Sequence, residues 1–271
     1  MSRSAGPSRR AVLAGGLSAA LTAQTPAPRS MGPDPGRLIL MGGGDYGPGV
    51  PEFIARQAGR SPRWVYIPTA LHDLEMTRYG PPRFLGPARR IATVHTRLRA
   101  IADTEAFVAP IQEADAVYID GGREWRLQDA YLGTRVVDAL AALLKRDGLI
   151  AGTSAGASIL GSYVLRGSPM GNGILNSPGH ERGFGFITHC AIDQHVIRRR
   201  RQTDLVSAVV AHPGLLGVGL DEGAAALVSG ARLVPVNDRA ILITDGAGHD
   251  GRSYYRLARE RAFDLSSWSE V

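Results

Sequence analysis

Gly152-Thr153-Ser154-Ala155-Gly156 constrains this chain more than any other segment. The apolar run Leu149-Ile150-Ala151 precedes it, and the small apolar stretch Ala157-Ser158-Ile159-Leu160 follows. That order reads as strand, sharp turn and helix, with serine at the apex. So tight a turn tolerates only small neighbours, because the serine backbone is strained and closely packed. It lifts the hydroxyl into the open and points the next backbone N–H groups at the same spot. A nucleophile and half of an oxyanion hole then share one motif. The same spacing would also suit a small-residue turn that only lets a helix pack on a sheet. Partners for Ser154 must therefore be sought elsewhere.

Other short apolar runs end in similar turns. Leu38-Ile39-Leu40-Met41 meets Gly42-Gly43-Gly44, Trp64-Val65-Tyr66-Ile67 stops at Pro68, and Ala116-Val117-Tyr118-Ile119 stops at Asp120-Gly121-Gly122. Near-continuous apolar character is expected of strands buried on both faces of a parallel sheet. Helical segments lie between them. In Arg135–Lys145, Val136, Leu140, Leu143 and Leu144 share one face, Thr134 can cap the start and Gly148 lies past the end. Alternation of this kind predicts a three-layer α/β fold with a mostly parallel sheet and helices on both faces. Ligands should bind beyond the carboxyl ends of the strands. The runs 216–220, 225–228, 233–236 and 241–243 read as antiparallel additions to the sheet edge, within a single domain over 31–271.

Residues 1–30 read differently. Arg9-Arg10 stands directly before a mild apolar stretch ending near Ala23, and Gln24-Thr25-Pro26-Ala27-Pro28 follows. This is the pattern of an export signal and linker, and the paired arginines suggest twin-arginine export of a folded protein to the periplasm or outside. Loss of residues 1–23 takes Arg3, Arg9 and Arg10 and lowers the formal net charge from +6 to +3. A balance that modest argues against a nucleic-acid partner. No apolar run is long enough to span a membrane, so no stable insertion is expected once the signal is gone. The lone Cys190 is expected to be buried. An assembly of two copies is compatible with the chain.

A serine at neutral pH needs a base. Among seven histidines His195 stands out, because Asp193-Gln194-His195 ends the apolar run Cys190-Ala191-Ile192. His189 and His180 are its rivals. Asp221-Glu222 closes the run Leu216–Leu220 and can supply the orienting acid, with Asp193 as a local rival. Gly121-Gly122 can bring backbone N–H groups to a reacting carbonyl. Gly42-Gly43-Gly44 resembles a phosphate-cradling loop, but no lysine-serine pair follows it, which argues against a nucleotide. No His/Cys/Asp/Glu cluster has metal-ligand spacing, and no cofactor is expected. Arg198–Arg201 cannot all face one pocket, though one or two could bind a substrate carboxylate.

Taken together, Gly42-Gly43-Gly44, Ile119-Asp120-Gly121-Gly122, Gly152 to Ala157, Asp193-Gln194-His195 and Gly217 to Glu222 resemble the S51 serine peptidases, cyanophycinase and its relatives, including aspartyl dipeptidase. The resemblance covers roughly residues 37–245. It implies a flavodoxin-like fold similar to class I glutamine amidotransferases, with serine at the elbow. It also implies Ser154 as nucleophile, His195 as base and Glu222 as orienting acid. Gly122 and Ala155 would then be the oxyanion donors. Gln194, Arg199 and Arg201 would bind an aspartate-containing or other peptide substrate. The chain departs from the family at Glu124, where glutamine is usual, at Asp204, where a third arginine is usual, and at Val196 in place of phenylalanine. These changes touch the specificity pocket rather than the hydrolytic groups. An esterase or acyl-transfer enzyme on the same fold is one alternative. A non-catalytic binding protein, motivated by Glu124 and Asp204, is another.

Overall fold

A computed structural model describes residue 1, residues 30–87 and residues 90–271. The expected export segment falls outside the described residues apart from Met1 and Ser30. Ser30 is already buried: its hydroxyl donates to the His189 carbonyl (2.9 Å) and accepts from the Trp268 indole N–H (3.2 Å).

The centre of the molecule is a parallel sheet of β1 (Arg37–Met41), β2 (Trp64–Ile67), β3 (Ile91–Thr93), β4 (Ala116–Ile119) and β5 (Leu149–Thr153), in the order β1-β5-β4-β2-β3. Successive side chains leave a strand on opposite faces, so each run feeds two cores. On one face Leu38, Leu40, Val65, Ile67, Val117 and Ile119 meet the helices α4 (Glu105–Glu113), α5 (Glu124–Tyr131) and α6 (Arg135–Lys145) through Ile111, Leu127 and Leu140. On the other, Ile39, Met41, Tyr66 and Tyr118 meet Val50 and Ile54 of α1 (Gly49–Ala58). The short helices α2 (Asp73–Arg78) and α3 (Arg99–Ala102) lie in the connections. Two buried faces explain why these strands read as continuous apolar runs. α6 has the expected bounds, and the Thr134 hydroxyl accepts from the Val136 N–H at 3.3 Å.

The remaining strands divide between two sheets. After α7 (Ala155–Ser158) come β6 (Gly161–Tyr163), β7 (Ile187–Gln194), α8 (Gln202–Ala211), β8 (Leu216–Leu220), β9 (Ala225–Ser229), β10 (Arg232–Pro235), β11 (Ile241–Thr244), β12 (Tyr255–Leu257), β13 (Phe263–Asp264) and β14 (Ser269–Glu270). β9 and β10 extend the first sheet antiparallel beside β1, as expected, and β13 and β14 continue it. Leu216–Leu220 and Ile241–Thr244 differ from expectation. They lie in a second sheet ordered β12-β11-β8-β7-β6, with β8 parallel to β7. The reason lies in the Leu-Gly-Val-Gly-Leu pattern. Leu216, Val218 and Leu220 enter the main core, while Gly217 and Gly219 leave a smooth face for α8. A Cβ on Gly219 would already lie 3.2 Å from Leu205 Cδ2 of α8.

α7 touches β5 of the first sheet and β7 of the second. The carboxyl ends of β1, β4, β5, β7 and β8 carry Gly42–Gly44, Asp120–Gly122, Ser154, His195 and Asp221-Glu222. Among the described residues no helix is long and apolar enough to cross a membrane. Cys190 is fully buried, and desolvation pushes its thiol up to about 12.

Candidate active site

Ser154 sits between β5 and α7 at φ 51° and ψ −117°, a conformation that a non-glycine residue adopts only under constraint. Its neighbours show where the constraint comes from. A Cβ on Gly152 would lie 2.1 Å from the Gly156 carbonyl oxygen, and one on Gly156 would lie 2.3 Å from that of Ile119. Both glycines are needed because α7 presses directly on β4 and β5. The Ser154 N–H donates to the Met41 carbonyl at 2.8 Å, which fixes the turn to β1. The serine is part-exposed at the apex while the residues around it are buried.

His195 lies just beyond β7, 7% exposed and at φ 55°. Its Nε2 is 3.1 Å from Ser154 Oγ, and its Nδ1 is 2.9 Å from Glu222 Oε1. A carboxylate only accepts, so the contact to Glu222 puts the proton on Nδ1 and leaves Nε2 free to accept the serine proton. Burial, and then the positive charge of Arg199, hold the imidazole below the ordinary histidine value, although Glu222 opposes them. The ring is therefore neutral at neutral pH.

The adjacent acids at the end of β8 take different tasks. Glu222 meets the imidazole. Asp221 Oδ1 instead accepts from the Ile197 and Arg198 N–H groups, at 3.0 and 2.9 Å, and closes the turn that carries His195. The rival histidines lie elsewhere: His180 pairs with Asp129 at 2.8 Å, and His189 is exposed.

The triple glycine after β1 exists for the same row of residues. A Cβ on Gly43 would lie 2.5 Å from His195 Cε1, and one on Gly44 would lie 3.1 Å from Glu222 Cβ. The Gly43 N–H donates to the Tyr46 hydroxyl (2.9 Å), which also hydrogen-bonds Thr153 beside the serine. Tyr46 is a support that sequence reasoning missed, and Asp221, weighed there as an orienting acid, supports the turn instead.

The turn after β4 touches the elbow, since a Cβ on Gly121 would lie 3.0 Å from Ser154 Cβ. Gly122, at φ 136°, admits no side chain, because a Cβ would meet the Ala70 carbonyl oxygen at 2.1 Å. Asp120 holds this turn. It accepts from the Gly121 N–H (2.8 Å) and from the Tyr66 hydroxyl (2.6 Å), and desolvation pushes its carboxyl upward. Ala155, whose N–H opens α7, is buried directly after the serine.

The residues expected to bind substrate separate into an exposed and a buried set. Arg199 is exposed, next to His195. Gln194, Arg201 and Glu124 are buried and bonded to one another. Gln194 Nε2 donates to Glu124 Oε1 at 3.0 Å, and Arg201 Nη1 donates to the Gln194 backbone carbonyl at 3.1 Å and to its Oε1 at 3.2 Å. Desolvation raises the Glu124 carboxyl to about 7. Asp204 faces Arg166, a residue the sequence gave no reason to select, at 2.7 Å.

A flavodoxin-like α/β fold with serine, histidine and carboxylate in one hydrogen-bonded row defines the class. The chain matches the profile of peptidase family S51 over residues 38–235, and it belongs to that family. It is 31% identical over 142 residues to a cyanophycinase of Nostoc sp., covering 52% of this chain and 48% of that protein. It is 26% identical over 180 residues to a cyanophycinase of Geminocystis herdmanii, covering 64% and 65%. The chain thus spans about half the length of the Nostoc relative. In fold it is similar to a peptidase from an acI-B1 Actinobacterium, with a TM-score of 0.65 at 20% identity over 84% of this chain and 96% of the other.

Proposed function

We propose that this protein is an exported serine-type exopeptidase that hydrolyses peptide or β-aspartyl amide bonds through an acyl-enzyme. The observation that carries the reading is the row Ser154 Oγ, His195 and Glu222, with links of 3.1 and 2.9 Å, in an S51 chain. His195 Nε2 takes the proton as Ser154 Oγ bonds to the substrate carbonyl carbon. The oxyanion is held by the backbone N–H groups of Gly122 and Ala155. His195 returns the proton to the leaving nitrogen as the C–N bond breaks, and water then releases the acyl group by the same route in reverse. Arg199, an exposed cation beside His195, would meet a substrate carboxylate, while Gln194, Arg201 and Glu124 form the wall behind it.

The relatives' names make a β-aspartyl-arginine polymer the first substrate to test, followed by Asp-X dipeptides. Amide hydrolysis of either, lost in Ser154→Ala, is the expected result. Ester cleavage without amide cleavage would move the reading to an esterase. No turnover of either, with Ser154 unreactive toward a fluorophosphonate, would end it. Export rests on Arg9-Arg10 and the apolar stretch after them. Replacing both arginines with lysine is expected to leave the protein in the cytoplasm, and unaltered export would refute that part.

A further inference from the structure

Two arginines grip the residues just ahead of the base, and one of them comes from a distant loop. Arg166 is 3% exposed and at φ 66°. Its Nε and Nη2 donate to Asp193 Oδ1 and Oδ2, both at 3.2 Å. Nη2 also reaches Asp204 Oδ2 at 2.7 Å, and Nη1 donates to the Asn172 carbonyl at 3.0 Å. The fork geometry uses donors on all three nitrogens, which an ammonium could not reproduce. Asp193, 1% exposed, passes this fixation on: its Oδ1 accepts from the Gln194 N–H at 3.0 Å. Arg201 holds the Gln194 carbonyl from the other side. The next residue is His195, whose left-handed backbone and ring packed against Gly43 leave little room for drift.

We infer that Arg166 is a positioning residue for the base, acting on His195 through Asp193, and that Asp204 serves Arg166 rather than the substrate. The inference rests on the serine-peptidase reading. The Asp221 clamp fixes the turn after His195, and the Arg166–Asp193 clamp fixes the end of β7 before it. With the fork removed, Asp193 and Gln194 lose their register, and the imidazole loses its alignment between Ser154 and Glu222. Displacements of about 1 Å at such a site slow reaction by about 100-fold.

The test compares the full chain with its Arg166→Lys variant, which keeps the charge and removes the fork. The readout is acylation of Ser154 by a fluorophosphonate, resolved into probe affinity and acylation rate. Acylation is expected to slow about 10- to 100-fold at unchanged probe affinity. The His195 Nδ1 proton, a sharp NMR signal when donated to Glu222, is expected to broaden in parallel. A folded Arg166→Lys variant with the wild-type acylation rate and an unchanged Nδ1 signal overturns the proposal. Failure of the wild type to acylate at all overturns the peptidase reading and this inference with it. If Arg166→Lys does not fold, Asp204→Asn replaces it, since that side chain is 36% exposed. It weakens the hold on Arg166 and should slow acylation about threefold, within the range of a weakened hydrogen bond. A wild-type rate there overturns the proposal.

Discussion

The turn that carries Ser154 and the turn that carries His195 both hold a non-glycine residue at positive φ, by opposite means. The elbow contains no charged side chain. Gly152 against Gly156, and Gly156 against Ile119, leave the chain no other path, so exclusion of volume sets the serine. The base turn is held by charge: Asp221 beneath Ile197 and Arg198, and Asp193 between Arg166 and Arg201. A serine fixed by packing is indifferent to pH and salt, whereas a histidine fixed by ionised groups responds to both. Bulk should therefore break the first turn, and loss of charge the second.

The largest effect is chemical. Ser154→Ala leaves the packing intact, so the protein should melt as the wild type does. Fluorophosphonate labelling should disappear, and hydrolysis should fall by up to about 10⁶-fold. Residual labelling would locate the reactive group elsewhere. Next comes bulk at the elbow. Gly156→Ala puts a Cβ 2.3 Å from the Ile119 carbonyl oxygen, where backbone must move. Urea unfolding should show a loss of about 3 kcal/mol, the upper part of the usual range for overpacking. A change below about 0.5 kcal/mol would mean that the elbow is looser than its contacts imply.

Charge is tested in the wall behind the base. Glu124 has a carboxyl raised from 4.5 to about 7 by burial. A raised acid favours the folded state while protonated, so its ionisation destabilises the fold as pH climbs from about 5 through 7. Glu124→Gln removes that liability. The variant should match the wild type near pH 4.5 and exceed it by up to about 3 kcal/mol above pH 8. A stability difference that stays constant with pH would refute the raised value. Asp221→Ala is expected to be milder, at about 1 to 2 kcal/mol, because the two N–H groups it strands sit on exposed residues that water can reach. Acylation should slow in the same variant, since the turn after His195 is freed.

The two turns also differ in how far they could be read from sequence. The elbow is local: its glycines, strand and helix lie within a dozen residues, and the structure places them as the spacing implies. Residue patterning alone left Asp221 and Glu222 undivided, and only the family resemblance favoured Glu222. The physical difference is that neighbouring residues at a strand end point to opposite sides, one toward the imidazole and one under its turn. Arg166 had no local signal at all, standing 27 residues from Asp193 and 38 from Asp204. The same non-locality misplaced Leu216–Leu220. A short apolar run looks alike in either sheet, and its partner β7 is fixed only once α7 bridges the two.

The smallest effect isolates the electrostatic control of the base. Burial depresses the His195 imidazole most, and Arg199 is the next cause. In the proposed mechanism acylation needs the neutral ring, so its rate should rise with pH as His195 loses its proton. Arg199→Gln removes one depressing charge and should move that limb to higher pH, with the plateau rate for a neutral probe unchanged. Because Arg199 is exposed, salt should move the wild-type limb upward relative to the variant's, and so narrow the gap between the two. A wild-type limb insensitive to salt and to Arg199→Gln would assign the depression to burial alone. His195 would then be set, like Ser154, by packing.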